Sequence, residues 1–276
     1  MYAEVLETAQ RLKEGQIKSS KETARACLLT IEQVVDRKDF DVKKEEVVMT
    51  LLLPGRPLSF NFLRAVLKLQ DKAKIKQLIK FGLSYLDSSA GEAVKHGLDI
   101  IREGDRIMTA SRATNVVSLL REAHKTRNFS VLVVESRPDK SGRRMAQELM
   151  DAGIKTTLIC DAAVNYFMPE VDKVIVGGVA VTSFGLIDHV GVSTIAVCAA
   201  WHRVPFYAVV EYLKVSDRLI VNEEPPREIC DHLPSRNPAY DLTRTALITE
   251  YVTDLGRFPS AKFYETARAR VERLIS

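Results

Sequence analysis

The hydrophobic period of this chain changes near residue 100, and no all-helical or all-strand fold accommodates both halves. Before that point apolar residues recur every three or four positions, the spacing of one helix face. Val5, Leu6, Ala9 and Leu12 form one such stripe, and Ala24, Cys27, Leu28, Ile31 and Val35 another. Ser19 or Ser20 can serve as an N-cap, with Glu22 three residues after Ser19 to complete a capping box. A turn at Leu53-Pro54-Gly55-Arg56-Pro57 introduces a helix predicted over residues 59–80, and another is predicted over 83–101.

After Glu103-Gly104-Asp105 the pattern becomes short and β-rich. Strands are predicted at 106–109, 130–134, 156–159, 174–176 and 206–210, with helices at 115–125 and 142–152 between them. The runs VLVV, LIC and VIVGG are almost wholly apolar, as strands buried on both faces are. Strands alternating with helices imply βαβ units, hence a Rossmann-like parallel sheet with helices on both faces. Two further helices are predicted at 242–255 and 261–275. The expected fold class is α/β, with a helical domain over 1–100 and a Rossmann-like ligand-binding and dimerisation domain over 101–276.

Charge follows the same division. Residues 1–95 hold 17 Lys+Arg against 13 Asp+Glu, and the remainder is balanced at 23 against 23, so the net +4 sits in the first third. At 46% hydrophobic and 28% charged, the composition is that of an ordinary globular chain. No apolar run approaches the roughly 20 residues of a membrane span, and the N-terminus lacks the basic start of a signal peptide. A cytoplasmic location is expected. Cys27, Cys160, Cys198 and Cys230 form no CxxC pair, so they are read as buried thiols and not as a zinc site or disulfide framework. No metal or cofactor is expected.

In an open parallel sheet, ligands bind beyond the carboxyl ends of the strands. Three segments occupy that edge: Thr109–Thr114, Glu135–Gly142, and the loop from Gly177-Gly178-Val179 to Gly191. They offer hydroxyls, arginines and helix N-termini, which suit a phosphate. GxGxxG is absent, so a dinucleotide fingerprint is not among the possibilities.

The segments VESRPDKSGRRMAQELMDAGI, TLICDAAVNYFMPEVDKVIVGG, AVCAAWHRVPFYAVVE and NPAYDLTRTALITEYVTDLG resemble a known superfamily. It comprises the regulatory subunits of initiation factor 2B and the isomerases of methylthioribose-1-phosphate and ribose-1,5-bisphosphate. The resemblance spans about residues 55–276, and DAAV, VDKVIVGG, AVCA and TDLG are closest to the factor 2B alpha subunit. It implies dimerisation through the second domain.

The resemblance also assigns site residues. Isomerases of this kind carry a catalytic cysteine after the first strand and an aspartate after the fourth; those positions hold Ser111 and Val179 here. A serine hydroxyl is a weak acid–base group, and valine transfers no proton. The family's N-K pair reads Asp188-His189, and its basic glycine turn reads Ser19-Ser20-Lys21-Glu22. The anion-holding part is retained: Arg56 and Asn61 match an A-R-P-x-x-x-N segment, and Glu135-Ser136-Arg137-Pro138 matches in full. Arg56, Asn61, Ser111, Arg112, Ser136, Arg137, Asp188 and His189 are therefore the candidate ligand-binding residues, with no catalytic residue among them.

These features lead to an expected non-catalytic regulatory protein of the initiation-factor-2B type. It would bind a phosphorylated ligand, a sugar phosphate or nucleotide, and a partner such as initiation factor 2, as a homodimer or higher oligomer. The alternative is an aldose–ketose isomerase. A phosphate is expected between Arg56, the Ser111–Arg112 turn and Ser136–Arg137, bound more firmly at low pH, where the imidazole of His189 is charged. Independently of the family, Arg64, Lys68, Lys72, Lys76 and Lys80 recur every four residues. The row reads as a solvated face first and as a docking site for an acidic protein second. RNA is the weakest partner, since no RNA-binding aromatic signature accompanies it.

Overall fold

The computed structural model describes residues 1–17, 19–52, 56–217 and 223–275. The centre of the turn predicted at 53–57 lies outside them. The chain divides into two compact units. One comprises Met1–Ser89, Leu213–Val215 and the chain from Thr266; the other comprises Ala90–Tyr212 and Ser216–Glu265.

The first unit is helical. Its helices are α1 (Ala3–Lys13), α2 (Ser20–Val34), α3 (Phe40–Leu51), α4 (Pro57–Lys68) and the first part of α5 (Lys72–Gly97). Ser19 and Glu22 form the predicted capping box at the start of α2. Ala24, Cys27, Leu28, Ile31 and Val35 are fully buried. On α1 the buried stripe is Val5, Thr8, Ala9 and Leu12, whereas Leu6 is exposed. Thr8 takes its place because its hydroxyl meets that of Thr30 at 2.8 Å.

The long helix predicted over 59–80 is two helices, broken at 69–71. Asp71 explains the break: its carboxylate accepts a hydrogen bond from Ala73 N at 2.8 Å, as an N-terminal cap does. Nor does the chain break near residue 82. A Cβ on Gly82 would lie 2.6 Å from Leu28 Cδ1, so this glycine serves close packing inside α5 and not a turn. The basic row is thereby divided between α4 and α5. Two of its members are paired, Lys76 with Asp36 at 2.7 Å and Lys72 with Arg37 O at 2.9 Å.

The second unit carries a seven-stranded sheet. Its strands are β1 (Arg106–Ala110), β2 (Ser130–Val134), β3 (Lys155–Ile159), β4 (Lys173–Val176), β7 (Phe206–Val209), β9 (Glu250–Thr253) and β10 (Gly256–Pro259). Their order is β3-β2-β1-β4-β7-β9-β10, parallel except for β10. Helices α6 (Thr114–His124), α7 (Ser141–Asp151), α8 (Val164–Phe167) and α9 (Val192–Trp201) lie in the crossovers, and α10 (Ser260–Ile275) follows β10. The core joins α6 and α7 to β1 and β2 through residues such as Val116, Leu120, Val131, Met145 and Leu149. The chain reverses its direction of winding between β1 and β4, which is where open sheets of this order bind ligands.

A second sheet was not anticipated. The antiparallel strands β5 (Ala180–Thr182), β6 (Gly185–His189) and β8 (Tyr240–Arg244) form it. The helix predicted over 242–255 is thus replaced by β8 and β9. Thr243, Thr245, Ile248, Thr249, Tyr251, Val252 and Thr253 make that segment β-branched and aromatic, and its residues pair with β6 and β7. The cysteines also differ from expectation: Cys27 is buried, with its thiol pushed up to about 12 by desolvation, but Cys160 is exposed and Cys198 and Cys230 are half-buried. Among the described residues, no helix is long and apolar enough to cross a membrane.

Candidate functional site

The carboxyl ends of β1 and β2 are joined by one hydrogen bond between two unusual serines. Ser111 and Ser136 both have positive φ, 53° and 63°, a region that non-glycine residues rarely adopt. Ser111 N donates to Ser136 Oγ at 2.7 Å, and that hydroxyl donates to Val134 O at 3.1 Å. Both serines are buried. The Ser136 hydroxyl therefore ties the two loops together and has no proton left to offer an anion. Gly142, at the start of α7, keeps the second loop tight, because a Cβ there would meet Val134 O at 1.9 Å.

The end of β4 closes against the same loops. A Cβ on Gly177 would lie 2.3 Å from Ala113 Cβ, and one on Gly178 would lie 2.4 Å from Leu186 Cδ1. The Gly-Gly pair is thus a packing requirement. Val179, half-buried, donates its N–H to Ile187 O at 2.9 Å and leads into β5.

The two arginines of these loops have different surroundings. Arg112 Nε donates to Glu148 on α7 at 2.7 Å, and this bond, with a second cation at Arg144, holds the Glu148 carboxyl below its usual range. Arg137 is exposed, and its backbone N–H faces the Asp161 carboxylate at 3.2 Å. Asn61 and Arg56 belong to the helical unit. The Asn61 amide donates to Leu213 O at 2.8 Å and Val215 O at 2.9 Å, so both its hydrogens fasten the 213–215 segment. Arg56 is the N-cap residue of α4, its carbonyl accepting from Phe60 N and Ser59 Oγ at 3.0 Å each.

Ser136 and Arg137 line a cavity of about 160 Å³ together with His189 and Tyr240. At roughly 30 Å³ per water in the liquid, this is space on the order of five waters, enough for a phosphate and a few carbons but not for a dinucleotide. Asp139, Glu224, Glu228 and Asn237 add to its polar lining, so one cation and one imidazole share it with three carboxylates. Carboxylates of this kind accept hydrogen bonds from sugar hydroxyls. Sequence reasoning missed Glu224 and Glu228. They carry no motif, and their loop is brought to the cavity by long-range contacts, the bridge between Glu223 and Pro238 and the Asn237 amide, which donates to Pro225 O and Glu228 at 3.1 Å each.

His189 and Asp188 end β6. Asp188 Oδ1 accepts from His189 N at 2.9 Å and lies 3.0 Å from His189 Nδ1. The imidazole packs edge-on against Tyr240, with centroids 5.6 Å apart. Asp188 is directly opposite Asp241 in the β6–β8 register. The Asp241 carboxylate receives Gly191 N at 2.8 Å and Ser193 Oγ at 2.7 Å at the start of α9. Burial raises the pKa of Asp241, and the negative charge of Asp188 adds to that push.

Comparison with known proteins agrees with this architecture. The profile of the Initiation factor 2 subunit family matches residues 4–260. Ribose 1,5-bisphosphate isomerase of Archaeoglobus fulgidus is 28% identical, over 95% of this chain and 91% of its own length. The isomerase of the same name from Methanocaldococcus jannaschii is 30% identical, over 92% and 91%. Translation initiation factor eIF2B subunit beta of Dictyostelium discoideum is 30% identical, over 67% of this chain and 52% of its own. Among solved structures, the translation initiation factor eIF-2B of Pyrococcus horikoshii OT3 superposes with a TM-score of 0.82 at 24% identity, covering 94% of this chain and 98% of that one.

Proposed function

The chain belongs to the initiation factor 2 subunit family, and from that premise we propose that it binds a phosphorylated pentose at the loops ending β1 and β2 and interconverts its aldose and ketose forms. The observation that carries this reading is coverage. The two ribose 1,5-bisphosphate isomerases match along more than nine-tenths of both partners, while the eIF2B beta subunit shares about half of its own length. The relatives thus favour the isomerase alternative over the regulatory role expected first from the sequence. The cavity agrees in size and chemistry: Arg137 offers a charge-assisted contact to phosphate, and the acidic wall suits hydroxyls. Ser111 and Arg112, in the same unit, remain candidates for the rest of the ligand, whereas Asn61 of the helical unit uses both amide hydrogens on Leu213 O and Val215 O.

One observation favours the regulatory reading. Ser111 and Val179 stand where the resemblance places a cysteine and an aspartate, and loss of one positioned acid–base group costs roughly 10²–10⁴ in rate. Under that reading the chain binds its ligand without turnover and docks on initiation factor 2 or a related subunit. Either role is compatible with self-association. An apolar face carries Tyr166, Val197 and Trp201, exposed by 76%, 56% and 83%, on the neighbouring helices α8 and α9. We assign that face to a second copy of the chain.

The deciding experiment incubates the protein with ribose 1,5-bisphosphate and with methylthioribose-1-phosphate, following the ketose by phosphorus and proton NMR. Turnover supports the isomerase. Binding without turnover, together with capture of initiation factor 2 in a pull-down, supports the regulator.

A further inference from the structure

We propose that His189 carries the proton in the reaction of this cavity and that Asp188 positions it. The inference rests on the isomerase reading and supplies the acid–base group that Ser111 and Val179 do not. Three observations bear on it. His189 lines the same cavity as Ser136 and Arg137, so a ligand phosphate held at Arg137 places its sugar beside the imidazole. Its Nδ1 lies 3.0 Å from Asp188 Oδ1, a contact in which the carboxylate accepts and the ring is held in one orientation. The side chain of Asp188 is 4% exposed and that of His189 is 38% exposed, so the carboxylate is shielded and the ring meets the ligand.

Asp188 is buried with only one of its two carboxylate oxygens hydrogen-bonded among the described residues. The other, Oδ2, has no partner there, and the residue opposite Asp188 on β8 is another acid, Asp241. Like charges directly opposite across a sheet destabilise it. A buried carboxylate hydrogen-bonded to an imidazole orients the ring and stabilises the imidazolium that forms when it takes a proton. The Tyr240 ring, edge-on to His189, keeps the imidazole plane from turning away.

The chemistry balances within one substrate molecule. In a furanose pentose 1-phosphate, His189 takes the C2 hydrogen as a proton. The C2–H electron pair becomes a C1=C2 double bond while the bond from C1 to the ring oxygen breaks, and that oxygen takes a proton from water. The imidazolium, whose N–H exchanges with water, then delivers a proton to C1, and the hydroxyl on C2 returns its proton to water to become the ketone. Two protons leave and two arrive; C2 is oxidised, C1 is reduced, and no co-reactant enters.

The test compares wild type, His189→Gln, Asp188→Asn and Lys72→Ala on ribose 1,5-bisphosphate, with kcat and KM measured separately from pH 5 to 9. Among the described residues, the charged or titratable groups near the ring are Asp188 and Tyr240 beside it, Asp241 opposite Asp188, and Arg137, Asp139, Glu224 and Glu228 around the cavity, so Arg137→Ala is profiled as well. His189→Gln is expected to lose roughly 10²–10⁴ in kcat with KM nearly unchanged. In deuterated water, wild type exchanges solvent deuterium into the product at C1, and the variant does not. Asp188→Asn is expected to lower kcat and displace the acid limb of the pH profile without lowering the melting temperature. A merely structural residue would move neither the profile nor the exchange. Lys72→Ala should match wild type. If wild type turns over and His189→Gln retains its kcat and its exchange, His189 is not the proton carrier, although the isomerase reading survives. If wild type neither turns over nor exchanges, both fall together.

Discussion

Adding one methyl group at Gly142 and at Gly91 should change stability in opposite directions, and the contrast tests whether the β2–α7 loop is as tight as described. A Cβ on Gly142 would stand 1.9 Å from Val134 O and 2.9 Å from Glu135 O, whereas ordinary contacts begin at 3.4 Å. The loop must therefore yield by about 1.5 Å at a backbone carbonyl, which cannot rotate aside as a side chain can. Overpacking of this kind costs typically 1–3 kcal/mol and occasionally more, and a clash with backbone belongs at the upper end, about 3 kcal/mol. At roughly 2–4 °C per kcal/mol, the scale for chains of about 150–250 residues and an upper bound for this longer one, Gly142→Ala lowers the melting temperature by up to about 6–12 °C. Gly91 lies exposed inside α5 with nothing within 4 Å of its Cβ position. Alanine there restores helix propensity and narrows the unfolded ensemble, so Gly91→Ala gains about 0.5–1 kcal/mol and raises the melting temperature by about 1–4 °C. Differential scanning calorimetry of the three proteins is the assay. A Gly142→Ala protein melting within about 1 °C of wild type would refute the close approach, and with it the claim that Gly142 sets the position of Ser136 and Arg137.

Three further outcomes are expected. Asp188→Asn removes the charge opposite Asp241 and should stabilise the fold by roughly 0.2–1 kcal/mol at neutral pH. Because the folded pKa of Asp241 is raised, its contribution is fully present below the ordinary carboxylate value of about 3.9 and is lost as pH rises through the folded value. The wild-type decline across that window should shrink in the variant, as urea titrations at pH 4 and 7 would show. Arg137→Ala should abolish the thermal shift produced by sugar phosphates, while Lys72→Ala leaves it intact; equal responses would make Arg137 structural. Trp201→Glu, at a site 83% exposed, should convert a dimer to a monomer by sedimentation without changing the circular dichroism spectrum; an unchanged sedimentation coefficient would reassign the apolar face.

What the sequence disclosed and what it concealed differ by the range of the interaction concerned. Strands β1, β2, β4 and β7 are legible because burial on both faces makes them continuous apolar runs. Strands β5, β6 and β8 are short or threonine-rich, and their pairing with one another is a long-range property that no local period records. The break at Asp71 was legible in principle, since an aspartate before an apolar-periodic run is a cap, but the row of lysines every four residues masked it. The site shows the same division. The loops that carry Ser111, Ser136 and Arg137 can be located from strand order alone, yet the letters do not separate the two arginines. Arg112 meets a glutamate 36 residues away on α7, and the Arg137 side chain pairs with no carboxylate among the described residues, so one is a brace and the other lines the cavity. In the same way Asp188-His189 reads as two replaced family residues. Only the register that sets Asp188 against Asp241 turns them into a pair with a reason to act. The buried acid facing another acid is the observation from which the proposed role of His189 is argued, and kinetics of His189→Gln and Asp188→Asn decide it.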